Sequence, residues 1–145
     1  MERETIVQTG LHLAEKAGAD EVETYFLDRD NLTIEVRGGK LETLHRSRER
    51  GLGIRVVKAG SFGYAFTSDL GQAAVADTVE LAVQGAKYSS LDSGASLPTP
   101  ASYDRSLAQF DGKIEETPLE AKLDLALAIE QAALNTDTRI TKSER

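Results

Sequence analysis

Apolar residues fall at helical spacing over residues 4–17: Ile6, Leu13 and Ala17, with Val7, Leu11 and Ala14 beside them. The spacing predicts a first helix, and Gly18 follows where a left-handed C-cap belongs. Residues 21–27 and 32–37 read as strands. In the second, Leu32, Ile34 and Val36 alternate with Thr33, Glu35 and Arg37, so one side is buried and the other wet. Gly38-Gly39 then separates this strand from another over residues 40–49, and both turn positions can take positive φ, as a two-residue hairpin requires. Residues 51–57 place Leu52, Ile54 and Val56 on one face. After the turn Lys58-Ala59-Gly60-Ser61, the residues Phe62, Tyr64 and Phe66 repeat the alternation.

Thr67-Ser68-Asp69 supplies capping side chains for a second helix running to about Tyr88, whose stripe of Val75, Val79, Ala82 and Ala86 permits close packing on a sheet. Residues 89–116, with Gly94, Pro98, Pro100 and Gly112, are the least regular part and read as a linker, a lid or a wrapping segment. Thr117-Pro118-Leu119-Glu120 is a helix start, with Thr117 as N-cap, proline in the first turn and Glu120 completing a capping box. The helix carries Leu123 and Leu127 to about Ala133. Arg139-Ile140 resembles the opening of a further strand, which predicts that the sequence is the front piece of a longer protein. The expected fold is α+β: two layers, with a mainly antiparallel β-meander packed against the N-terminal helix, the helix after the meander and the C-terminal helix. One domain is expected over residues 1–145, with 89–116 as its irregular connection.

Composition narrows the function classes. The net charge of −7, from Asp+Glu 24 against Lys+Arg 17, disfavours delocalised attraction to nucleic acid or anionic lipid. There is no cysteine, which removes thiolate nucleophiles, disulfides and Cys-based zinc sites and suits a reducing compartment. Met1-Glu2-Arg3-Glu4 leads into no sustained apolar stretch, so neither a signal peptide nor a membrane span is read here. A soluble, cytoplasmic protein is the expectation.

The search for chemistry assigns no catalytic, cofactor-binding or metal-ligating residue. His12 and His45 are the only histidines, and no His-x-x-x-His or His-Glu-x-x-His spacing exists to hold a metal on a helix. Gly51-Leu52-Gly53 lacks the third glycine of a dinucleotide loop and opens a strand, not a helix. Gly60-Ser61-Phe62-Gly63 is not a nucleophile elbow, and Ser61 reads as a turn residue. Glu21, Glu23, Glu35 and Glu42 alternate between strand faces without paired acid/base geometry. Arg46, Arg48 and Arg50 share one face of a regular strand, close to Arg55 and Lys58. That face is either an anion site or, more in keeping with charge runs, a salt-bridged surface opposite Glu35 and Glu42.

Taken in order, Gly18-Ala19-Asp20-Glu21-x-Glu23, Val36-Arg37-Gly38-Gly39-Lys40-Leu41-Glu42, Gly51-Leu52-Gly53-Ile54-Arg55-Val56 and Gly60-x-x-Gly63-Tyr64-Ala65-x-Thr67-Ser68-Asp69-Leu70 resemble the N-terminal domain of the TldD/PmbA family. Ala82-x-x-x-Ala86-Lys87, Tyr103-Asp104 and the helix bearing Lys122 are similar too, so the resemblance covers essentially the whole chain. The strands at Gly51 and Gly63-Tyr64-Ala65 look more PmbA-like. The resemblance implies a cytosolic peptidase assembly, also described as a modulator of DNA gyrase. Its TldD-type and PmbA-type subunits pair as homo- or heterodimers and act on peptides such as microcin precursors and an antitoxin. It implies zinc only in the full-length protein or its partner subunit, since the His-Glu-x-x-x-His motif of TldD-type members lies after this domain. Two roles follow as expectations: a structural, substrate-chamber domain of such a peptidase, or a non-catalytic binding and assembly module. Neither involves direct contact with nucleic acid or membrane.

Overall fold

Helix α1 (Arg3–Lys16) forms where the apolar spacing demands it and buries Ile6, Gly10 and Ala14. It ends in a Schellman motif: Gly18 takes a φ of 79°, its N–H donates to the Glu15 carbonyl at 2.9 Å, and the Ala19 N–H donates to the Ala14 carbonyl at 3.1 Å. The computed structural model describes residues 2–99 and 110–143. After α1 come β1 (Glu21–Arg37), β2 (Lys40–Lys58), β3 (Ser61–Thr67), α2 (Gln72–Tyr88), α3 (Lys113–Glu116) and α4 (Leu119–Thr136). The three strands form one antiparallel sheet in the order β1-β2-β3, and the fold is α+β.

Four strands expected before the Ala59-Gly60 turn prove to be two long ones. Residues 28–31 and 50 continue the ladder, because neither stretch holds a proline or a turn pair that would interrupt it. Two further expectations are corrected. Thr117 does not cap α4; its hydroxyl donates to the Lys113 carbonyl and closes α3, leaving Pro118 at the N-cap of α4. Residues 139–140 do not open a strand. The Asp137 carboxylate accepts from the Arg139 backbone N–H at 2.8 Å, the Ile140 N–H donates to the Asp137 carbonyl, and the chain bends.

The chain divides into two compact units, Met1–Arg29 with Glu49–Ala101, and Asp30–Arg48 with Ser102–Arg145. The first holds the apolar core. Ile6 and Ala14 of α1, Leu52, Ile54 and Val56 of β2, and Val75, Val79, Ala82, Val83 and Ala86 of α2 pack as one buried cluster, with Val22 and Phe26 of β1 at its edge. α2 lies on β3 so closely that a Cβ placed on Gly63 would stand 1.9 Å from the Ala82 carbonyl oxygen and 2.6 Å from the Ala86 nitrogen. The small stripe read from the sequence is therefore matched by a glycine on the strand below it. A clasp joins the end of α1 to the β2–β3 turn: Lys58 Nζ donates to the Ala17 carbonyl, the Ala59 N–H donates to Asp20 Oδ2, each at 2.7 Å, and the Asp20 N–H donates to the Val57 carbonyl at 2.8 Å.

The second unit is organised differently. Of α4 only Glu130 is buried, 4% exposed, and its two carboxylate oxygens accept the N–H groups of Gly38 and Gly39, each at 2.8 Å. Leu125 and Ile129 of the same helix are 61% and 62% exposed. Among the described residues no helix is long and apolar enough to cross a membrane.

Candidate functional site

The two histidines lie one in each unit, both exposed, and among the described residues no three His, Cys, Asp or Glu side chains converge as metal ligands. The donors among the described residues do not fit the zinc that the resemblance implies for the larger assembly. Ser61 is buried, and its Oγ sits 3.3 Å from the Ser90 carbonyl and 3.5 Å from that of Ser89, to which it can donate. Such a hydroxyl pins a chain and is not free to attack a substrate. Gly51-Leu52-Gly53 does not open a strand as expected but lies inside β2. There Gly53 makes room for a ring: a Cβ on it would meet Tyr64 Oη at 3.2 Å.

Of the basic run, Arg46, Arg50 and Arg55 pair with acids other than the expected Glu35 and Glu42. In the second unit Arg46 grips Asp30 with Nε at 3.1 Å and Nη2 at 2.7 Å, and Arg37 pairs with Glu42 at 3.0 Å. In the first unit Arg50 lies 3.5 Å from Asp28 with its guanidinium over the Phe26 ring, and Arg55 is bonded to Glu23. The hydrogen bond from Arg46 holds the Asp30 carboxyl below its usual range. Desolvation opposes this, and the smaller effects of the Arg46, Arg48 and Lys122 charges reinforce it. These guanidinium groups are committed to carboxylates, so a ready-made anion site is not what this run provides.

What the alternation did not reveal is which face of β3 is wet. The register pairs Leu52 with Thr67, Ile54 with Ala65 and Val56 with Gly63. Directly opposite residues share a face, so the buried side of β3 is Ser61, Gly63 and Ala65, and the aromatic residues stand on the other. Tyr64 is 62% and Phe66 75% exposed, with ring centroids 6.2 Å apart in a stacked arrangement. The signal was in the sequence: a two-residue loop at Ala59-Gly60 fixes Lys58 opposite Ser61, and every later pairing follows.

The same register decides where the backbone points. The residues flanking a two-residue loop exchange both ladder hydrogen bonds, and so does every second pair beyond them. Ser61, Gly63, Ala65 and Thr67 are therefore bonded to β2, while Phe62, Tyr64 and Phe66 direct their N–H and C=O groups to the free edge. Among the described residues no further strand pairs with that edge. Two of the usual guards are missing, since Ser61–Thr67 contains no charged residue and no proline. The result is an uncharged strand edge beside an open aromatic face, an arrangement suited to hydrogen-bonding an extended backbone. The second unit holds a cleft of about 1130 Å³ between the hairpin and the α3–α4 corner, lined by Leu32, Leu44, Ile114 and Leu119 together with Arg46 and Lys122.

Comparison with known proteins agrees with this architecture. Residues 22–86 match the model of the PmbA/TldA metallopeptidase domain 1. The chain is 33% identical over 148 residues to the metalloprotease PmbA of Escherichia coli O157:H7, covering 97% of itself and 31% of that protein. It is 35% identical over 143 residues to the metalloprotease PmbA homolog of Haemophilus influenzae, covering 94% of itself and 30% of that protein. It thus spans about a third of the length of these curated relatives. The fold is shared with TldE from Thermococcus kodakarensis, with a TM-score of 0.71 and 20% identity over 93% of this chain and 29% of that one. It is also shared with a proposed modulator of DNA gyrase from Bacteroides thetaiotaomicron, with a TM-score of 0.78 and 21% identity over 96% of this chain and 32% of that one. By sequence and by fold the chain belongs to the metallopeptidase-related TldD/PmbA family, in which it is the N-terminal domain.

Proposed function

We propose that this domain forms part of the substrate chamber of a TldD/PmbA-type peptidase assembly in the cytoplasm and holds peptide there without cleaving it. The observation that carries the reading is the free edge of β3, where three residues turn their backbone groups outward beside an exposed aromatic pair. Backbone hydrogen bonds bind any extended segment regardless of its sequence, and the rings add apolar contact with alternate side chains. In this reading any zinc and its ligands belong to the rest of the full-length protein or to a partner subunit. The likeness to the curated PmbA proteins favours a PmbA-type subunit over a TldD-type one.

The test is titration with an unstructured peptide followed by amide NMR. The amide protons of Phe62, Tyr64 and Phe66 should become protected, and a peptide N-methylated at alternate residues should lose this effect. Equal binding of the methylated peptide would sink the strand-addition reading. Reading the gene past Arg145 gives a separate check, since a His-Glu-x-x-x-His motif there would assign the chain to the TldD type.

A second reading, a non-catalytic assembly module, is favoured by the exposed Leu125 and Ile129 on α4. Analytical ultracentrifugation with a TldD-type subunit should then show a complex at micromolar concentration, and its absence would count against this role.

A further inference from the structure

Both hairpin turns of the sheet carry outward N–H groups, and both are met by a carboxylate from elsewhere in the chain. At Ala59 the acceptor is Asp20, an exposed side chain taking one N–H. At Gly38-Gly39 the acceptor is Glu130, buried, taking two. The difference matters. With φ of 57° and 72° the two glycines place successive N–H groups side by side, pointing away from the strand ladder. Adjacent turn amides of this kind form a concavity for an anion, and Glu130 fills it with one oxygen on each N–H at 2.8 Å.

The rest of α4 supplies no other buried side chain, although Leu119, Leu125 and Ile129 lie on it. A helix this rich in leucine and alanine ordinarily docks by its apolar stripe. Here the one buried side chain is a carboxylate hydrogen-bonded to two backbone N–H groups, on residues 91 and 92 positions away in the chain. An apolar seam is released only by unfolding it, whereas a carboxylate in an amide cup can be exchanged for another carboxylate.

We infer that the Gly38-Gly39 amide pair is a carboxylate-binding site which Glu130 occupies from within the chain, and that α4 is a strap held on the hairpin by this exchangeable contact. The ligand class is a carboxylate with both oxygens free, which an acidic side chain or a peptide C-terminus provides. A neutral amide fits poorly, because its NH₂ would oppose one of the two N–H donors.

The experiment uses the chain with Glu130→Ala and Glu130→Gln, followed by amide NMR and hydrogen exchange at one pH. In Glu130→Ala the Gly38 and Gly39 amide protons should move upfield, and exchange across residues 119–136 should quicken by at least about tenfold, with α2 unchanged. Acetate at roughly 0.5 M, a stand-in for the lost tethered group, should return the two glycine signals downfield, where chloride at equal ionic strength does not. Glu130→Gln should resemble Glu130→Ala before acetate is added. Unchanged glycine signals in Glu130→Ala, or acetate acting no better than chloride, would overturn the site. Loss of protection in α2 as well would overturn the strap, because the contact would then belong to the global fold.

Discussion

Gly63 decides how near α2 can come to the sheet. A methyl group there has no space, since the Ala82 carbonyl oxygen and the Ala86 nitrogen already occupy the positions it would need. Gly63→Ala should therefore destabilise the chain by roughly 3 kcal/mol, the upper part of the range for overpacked cores, read as a lower urea midpoint with an unchanged slope. Asp30 offers a test of the electrostatics. Its carboxyl is held low by the Arg46 hydrogen bond, so this pairing favours the folded state above the ordinary carboxylate pKa and ceases to do so as pH falls through the lowered value. A carboxyl carbon NMR titration should place the Asp30 midpoint below that of an isolated aspartate, and Arg46→Ala should move it up. Because the pair is exposed, its effect on stability should be small and should fade with salt. Gly18, Gly38-Gly39 and Gly60 were legible in the sequence because positive φ is a local demand that glycine meets, and Ala59 takes a φ of 50° beside Gly60. Glu130 was not. Among leucines and alanines a glutamate reads as a solvent-facing position, and its partners lie far away in the chain.

Among the elements, β3 is the one whose reading changed most. Three aromatic residues in alternation look like a core face, and only the register, with Gly63 and Ala65 opposite Val56 and Ile54, shows that they are turned outward. The physical reason lies with α2: its stripe of Val75, Val79, Ala82 and Ala86 sits too near the strand for anything larger than glycine, serine or alanine beneath it. Phe66→Ser should accordingly shift stability by no more than about 0.5 kcal/mol, as for other exposed positions, while Ile54→Ala should cost roughly 2–5 kcal/mol. Chemical denaturation of the two variants checks the contrast, and a large loss in Phe66→Ser would mean that the aromatic face is covered. The spans of α1, α2 and α4 were legible to within a few residues, but α3, Lys113–Glu116, falls in the stretch read as irregular. The caps were misplaced as well: α2 starts from Gly71 without a side-chain cap from Thr67, Ser68 or Asp69, and Thr117 satisfies α3 in place of α4.

Across the whole molecule the burial is unequal. The cluster from Ile6 to Ala86 lies entirely in the first unit, whereas the second encloses, among the described residues, only the side chain of Glu130. Regions with few buried apolar contacts open more readily. Amides of α4 should thus exchange at least about tenfold faster than those of α2 by native-state hydrogen exchange, and equal rates would contradict this difference. The clasp between α1 and the β2–β3 turn bears on how the first unit is made. Its side-chain bonds join residues 41 and 39 positions apart, and α1, of 14 residues, is marginal on its own in water. During synthesis at about 5–20 residues per second, α1 leaves the ribosome roughly 2–8 s before its partners. Through that interval the nascent chain presents Ile6 and Leu13 to whatever chaperone stands at the tunnel exit, and the Lys58 and Ala59 bonds end that exposure.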